Sequence, residues 1–304
     1  ICDYQRDPTA NDCVLHPNPM FWEGFNLAGD NILRRIIERI VLPAIKDKAE
    51  EMGCDNPAET MNILFGPDHG SQSVLARARR KQFANQVATP IALGIIQHAT
   101  EDLPIEHRDF SSFFINFPAP HPEVLSHVNS FIQRQGAKEF RVEDVTWTIN
   151  TQETNTVIRQ VMQQMVGNLC GVISQFDCDY LLLAGRPTIL PVIREIFLQY
   201  LPLMPDRIIL MGRYRIGNWY PFADPGGLIS DPKTCVCVGA AVGLMASTLG
   251  RLAGFRVSPE GLMDKITSTA NYIGYFDPNR LQVKDVYFED NDSTEAVFKF
   301  HGPM

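Results

Sequence analysis

The sequence has no surplus of positive charge, no long apolar run and no paired-cysteine spacing, and each absence removes a class of function. Among 304 residues, 27 Lys and Arg stand against 35 Asp and Glu, a net charge of −8. No global positive field therefore draws in nucleic acid or an anionic membrane surface. The longest uncharged stretch, Thr234 to Gly250, is shorter than the roughly 20 apolar residues of a membrane span, and it carries Gly239, Gly243, Ser247 and Thr248. The seven cysteines are odd in number and scattered, without a CxxC pair or a zinc-like spacing. That pattern suits reduced thiols and favours the cytoplasm. The seven histidines form neither HExxH nor any paired ligand spacing, so no metal site is expected from them. A Gly-x-Ser-x-Gly elbow is missing, as is the Gly-x-Gly-x-x-Gly fingerprint of a Rossmann dinucleotide site. Ile1 stands where an initiator Met would, with no basic-then-apolar leader behind it. The expectation is of a fragment whose start lies upstream.

What is present describes a folded chain. Apolar residues make up 45% and charged residues 20%, the balance of a globular protein, and the length suits one large domain or two smaller ones. Neither internal repeats nor low-complexity tracts interrupt it, and strands alternate with helices as in α/β proteins. A hairpin is expected at the start, its second strand running through Phe21, Trp22 and Phe25. From Ile32 onward the apolar set Leu33, Ile36, Ile37, Ile40, Val41, Ala44 and Ile45 follows the i, i+3, i+4 rule of a helix, capped by Asp30 or Asn31 and interrupted at Pro43. A second helical block spans 71–100 with a break at Pro90. Residues 101–150 carry a Phe-rich segment, a helix near Glu123 to Gln135 and a strand at Val145 to Ile149, and are expected as an insertion.

The clearest unit follows. A helix over 155–176 precedes a buried strand at Asp179 to Ala184, and Gly185-Arg186-Pro187-Thr188 leads to a helix near Ile189. A glycine directly after a buried strand lets a ligand approach the main chain, and the next helix N-terminus offers free N–H donors. A strand at Arg207 to Met211 precedes an aromatic loop with Tyr214, Trp219, Tyr220 and Phe222, which can serve as a protein-binding patch or as packing on the sheet edge. Cys235 to Val238 is expected as a short buried strand with both thiols on one face and chemically inert. Past Gly254 a helix start at Ser258-Pro259-Glu260 and a hairpin over Asp285 to Phe300 mark a C-terminal extension.

The order of these parts resembles the second domain of the actin-like ATPase superfamily. There a strand ending in glycines, a hydroxyl or small residue and a proline contact the adenosine, and Gly185, Arg186, Thr188 and Pro191 fall on that segment, with Arg186 in place of the second glycine. Asp231-Pro232-Lys233-Thr234 through Gly239-Ala240-Ala241 resembles the segment that opens the last long helix. Gly29-Asp30 before a helix resembles the turn that supports the phosphates. The cluster Arg77, Arg79, Arg80 and Lys81 resembles a charged helix that packs on the base, Arg80 and Lys81 being its contacts, or is a solvated face. The wording is closer still to the bacterial SrfB family of virulence factors: Glu23 to Asp30, Gly185-Arg186-Pro187, Gly217 to Phe222 and Asp231 to Thr234 are similar to that family's text.

The resemblance implies an α/β actin-like domain II (ribonuclease H-like) over 1–254 with an insertion near 101–150, and a mixed α+β extension over 255–304. It implies a nucleotide partner, ATP, with Mg²⁺ carried by the nucleotide, and ATP binding coupled to interdomain closure. No catalytic residue and no metal ligand is expected in this chain, because the phosphate loops of the family precede the aligned region; hydrolysis would need that other half. The alternative is a non-hydrolysing scaffold of the same fold that works through the Tyr214–Phe222 loop.

Overall fold

The computed structural model describes residues 1–6, 13–21, 29–67, 73–247, 250, 252–258, 272–277 and 282–289. In chain order these form β1 (Cys2–Arg6), β2 (Cys13–Pro19), α1 (Gly29–Ile36), α2 (Leu42–Glu51), α3 (Pro57–Phe65), α4 (Val74–Phe83) and α5 (Thr89–Thr100). Next come β3 (Glu106–Asp109), α6 (Pro122–Gln133), β4 (Thr146–Ile149), α7 (Thr151–Ile173), β5 (Leu181–Leu183), α8 (Pro191–Tyr200) and β6 (Ile208–Leu210). The last are α9 (Cys235–Ser247), β7 (Phe255–Val257), β8 (Tyr272–Asp277) and β9 (Gln282–Glu289). The fold is mixed α/β with small sheets, and the chain divides into two compact units: Ile1–Trp22 with Ala240–Met304, and Glu23–Gly239.

The first unit holds a sheet in the order β1-β2-β7. The expected hairpin forms, but its second strand is Cys13–Pro19 rather than the segment around Phe21; Trp22 and Phe25 lie outside the described residues. Two prolines argued against a strand there. The sheet tolerates them because β7 pairs with Cys13 to Leu15, and among the described residues nothing pairs with that side of β2 at Pro17 and Pro19. A separate hairpin pairs β8 with β9. Asp285 to Glu289 lie in β9, and the rest of the hairpin expected over Asp285 to Phe300 lies outside the described residues, as do Pro259 and Glu260.

The second unit is mainly helical. Asn150 caps α7 by accepting the N–H groups of Gln152 and Glu153, at 2.9 and 3.3 Å, and Ser73 caps α4 by accepting from Ala76 at 3.2 Å. Both interior prolines are accommodated in the same way. A five-residue π turn, Ile37–Val41 or Ala84–Ala88, precedes α2 and α5, and Pro43 and Pro90 then fall in the first turn of the new helix. There the missing N–H costs little, and the wider turn relieves the clash of the ring with the preceding carbonyl. Helix α1 begins at Gly29, so Asp30 lies inside its first turn, where a carboxylate favours the helix dipole, rather than at a cap.

Residues 101–150 are built into this unit's core. Trp147 on β4 is fully buried, its indole N–H donates to the Val41 carbonyl at 3.2 Å, and its ring meets Phe113 edge-on at 5.6 Å. Helix α7 packs on α1, α5 and α8. Strands β5 and β6 run parallel, Leu181 opposite Ile208 and Leu183 opposite Leu210, with α8 as the crossover. The expected strand at Cys235 is instead the first turn of α9. Valine and cysteine favour a strand locally, but Asp231 accepts the Lys233 N–H at 3.0 Å and Pro232–Thr234 forms a tight turn that launches a helix. Cys237 is accordingly exposed rather than packed inside a sheet.

Candidate functional site

Parallel strands present their C-terminal ends as the usual place for a ligand, because the loops there diverge and helix N-termini face the opening. Beyond β5 the chain turns at Gly185, whose φ of +93° favours glycine. A Cβ on this residue would meet nothing within 4 Å, so the approach to its main chain is open. The turn is closed internally. Thr188 donates its hydroxyl to the Gly185 carbonyl at 2.7 Å and its N–H to the same oxygen at 3.1 Å. Pro191 then takes the first turn of α8, behind the buried Leu190.

Three further segments gather on this turn. The Gly185 N–H donates to the Pro232 carbonyl at 3.3 Å, and Arg186 reaches Asp231 with Nε at 3.2 Å and Nη2 at 2.8 Å. The guanidinium, with help from the Lys233 N–H, holds the Asp231 carboxyl below its ordinary range. Beyond β6, Gly212 leaves no room for a side chain, since a Cβ there would come within 2.9 Å of Ile189 and 3.3 Å of Pro232. Tyr220 is buried and shares a 2.7 Å hydrogen bond with the Thr234 hydroxyl, and burial pushes its phenol up. Trp219, Tyr214 and Phe222 stay exposed around it. Finally, Gly29 at the start of α1 lies against Pro187: a Cβ on Gly29 would stand 3.6 Å from the proline ring.

The expected site residues thus fall into two groups and an outlier. Gly29, Gly185, Arg186, Thr188 and Pro191 cluster on the turn past β5. Asp30 and Arg80 line a cavity of about 830 Å³ bounded by α1, α2, α3 and α4 and by both π turns, a volume within the usual range of small-molecule sites. Arg80 donates from Nε to Leu64 at 3.0 Å and from Nη2 to Ile63 at 3.1 Å, and from Nη1 to Gly66, so it caps the C-terminal end of α3. Its planar face, more than its N–H groups, is what it can offer a ligand. Lys81 is exposed on α4. Sequence reasoning did not foresee Asp231 as the partner of Arg186, nor Tyr220 as the post under Thr234. The first link joins residues 45 positions apart and the second 14, and only the aspartate before a proline hinted at a capped turn. Among the described residues, no cluster of three or more His, Cys, Asp or Glu could hold a metal ion, and no helix is long and apolar enough to cross a membrane.

These features define a mixed α/β protein whose candidate ligand turns meet at the C-terminal ends of a parallel strand pair. Comparison with protein families places it more narrowly. The family model described as virulence factor SrfB matches residues 1–302, and the chain belongs to the SrfB family. No curated protein and no solved structure matches it.

Proposed function

We propose that this chain is the nucleotide-binding half of an SrfB protein with an actin-like arrangement, in which ATP binding is coupled to closure against a further domain. The observation that carries the reading is the meeting of Gly29 with Pro187. Gly29 at the head of α1 and the turn that follows β5, far apart in sequence, come together there, and Asp30, the next residue, lines the cavity of about 830 Å³. Gly185, Thr188 and Pro191 would shape the adenosine side, with Arg186 at its rim. Gly29 and Asp30 would support the phosphate side, and Arg80 would present its guanidinium face toward the base, with Lys81 outside this group. Mg²⁺ would arrive with the triphosphate. The bound nucleotide supplies a transferable phosphoryl group. What this chain contributes is binding and orientation, and hydrolysis would belong to a protein that also brings the phosphate loops of the other half.

The test is calorimetric titration of Mg-ATP into the full-length protein and into Gly185→Trp. We expect saturable binding that the indole abolishes, because it fills the open approach to the turn. A folded wild-type protein that takes up no nucleotide would overturn the reading.

A second reading, a scaffold that has kept the architecture and works through protein partners, is favoured by two observations. Arg186 occupies the rim of the turn in an ion pair with Asp231, where the resembled superfamily has a glycine. Trp219 is 60% exposed and Tyr214 45%, and exposed Trp and Tyr are the residue types enriched at interface hot spots. Under this reading, alanine at Trp219 removes partner binding and leaves nucleotide uptake absent in both proteins.

A further inference from the structure

Away from that site, a groove of about 440 Å³ runs between α4 and α6. Its walls carry Arg79 from α4, His127 from α6, Arg134 at the C-terminal cap of α6, and the hydroxyl residues Ser73, Ser126 and Ser130. Arg134 is fixed at the groove: its Nε donates to the Ser130 carbonyl at 3.1 Å and its guanidinium carbon lies 5.8 Å from the centre of the Phe131 ring. Arg79 reaches across the groove to Glu123, Nη2 to Oε2 at 3.0 Å. Glu123 is 64% exposed while Arg79 is only 26% exposed, so the acid can swing into solvent and the base stays. His127 feels this field. Partial burial lowers its pKa first, and Arg79 and Arg134 lower it further.

The groove continues into a smaller pocket of about 120 Å³ that shares Ala76, Arg79 and His127 with it and is otherwise lined mainly by Leu64, Phe65, Phe83 and Phe131, with Arg80 at its side. The pocket is somewhat smaller than the roughly 150 Å³ apolar cavity that accepts benzene, so a ring enters it with its edge toward the groove. A cationic, hydroxyl-lined groove that opens into a small apolar pocket is a composite of two chemistries, one for an oxyanion and one for an apolar end.

We infer that this groove binds a small organic anion, its phosphate or carboxylate head among Arg79, His127 and Arg134 and its single ring or short chain in the adjoining pocket. The ligand's head replaces Glu123 on Arg79. The charged and titratable groups that face the head are Arg79 from α4, Glu123 and His127 from α6, and Arg134 just past its end. The site uses none of the Gly185 turn, although its apolar pocket shares Phe65, Arg80 and Phe83 with the larger cavity.

Phenyl phosphate is the probe, titrated into the intact chain while the His127 ring resonances are followed by NMR. We expect saturable shifts at His127. Arg134→Ala and Arg79→Ala should each weaken binding roughly tenfold or more, the usual cost of a charge-assisted hydrogen bond. Glu123→Gln should strengthen it several-fold, a gain that unfolding cannot mimic. Inorganic phosphate should bind more weakly than phenyl phosphate, and Gly185→Trp should leave phenyl phosphate binding unchanged. Shifts that never saturate, an affinity indifferent to Arg134→Ala, or weaker binding in Glu123→Gln would overturn the proposal. Equal affinity for inorganic phosphate would remove the ring pocket from it, and loss in Gly185→Trp would move the ligand to the other site.

Discussion

The Arg186–Asp231 pair does more than decorate the turn after β5. Asp231 serves two partners at once, the guanidinium at 2.8 Å and the Lys233 N–H at 3.0 Å, and through the second it fixes the turn that launches α9. Its carboxyl is held below the ordinary 3.8, chiefly by Arg186. The sign follows from linkage: a depressed carboxylate pKa stabilises the folded state above the unfolded value and loses that contribution as pH falls through the folded one. The pair is partly exposed, with Arg186 at 72% and Asp231 at 30%, so solvent screening keeps its share of stability below about 1 kcal/mol. Carboxyl carbon shifts followed by NMR from neutral to acid pH are expected to place the Asp231 midpoint under its ordinary value and to move it upward in Arg186→Gln. A midpoint at or above the ordinary value would refute the pairing. Neither residue advertises this link locally, because 45 positions separate them and nothing in the composition of either segment sets their distance.

At the scale of elements, helices were legible where apolar residues recur at helical spacing, as from Ile32. Their starts were not: α1 takes in Asp30 rather than being capped by it, and α7 begins at Thr151 behind the Asn150 cap, ahead of the expected start at 155. The π turns were not legible either, because the sequence shows only that a proline interrupts a helix. How the backbone absorbs it depends on what packs outside, here the Trp147 indole on the Val41 carbonyl. Cys235 was misjudged for a related reason: side-chain preference is a weak prior, and a capped turn upstream overrides it. The close approach of α5 to the 3₁₀ turn at Phe110–Phe114 gives a direct test of this packing. A Cβ on Gly94 would come within 2.8 Å of the buried Phe113 ring. Alanine gains up to about 1 kcal/mol of helix propensity over glycine, but forcing a methyl into a filled core costs about 1–3 kcal/mol. We expect Gly94→Ala to lower the urea midpoint, a net loss on the order of 1 kcal/mol. An unchanged or higher midpoint would mean that Phe113 yields freely and that this contact is loose.

Across the whole molecule, charge separates what the protein as a body attracts from what a single groove can recognise. The net charge of −8 sets a repulsive field for any polyanion, and at physiological salt fields from exposed charges fade within about 8 Å. The basic groups of the α4–α6 groove act inside that range on a small anion seated between them. A nucleic acid backbone, however, must lay many phosphates along a surface, and its affinity comes from releasing counterions at each one. Two arginines and a histidine, with Glu123 beside them, supply few such contacts. Fluorescence polarisation with a short labelled duplex at physiological salt is therefore expected to show no saturable binding, in the same solutions where phenyl phosphate saturates His127. Duplex binding whose logarithm falls steeply with the logarithm of salt concentration would show that a basic surface larger than this groove has been overlooked. It would also reopen the class of function that the composition set aside at the outset.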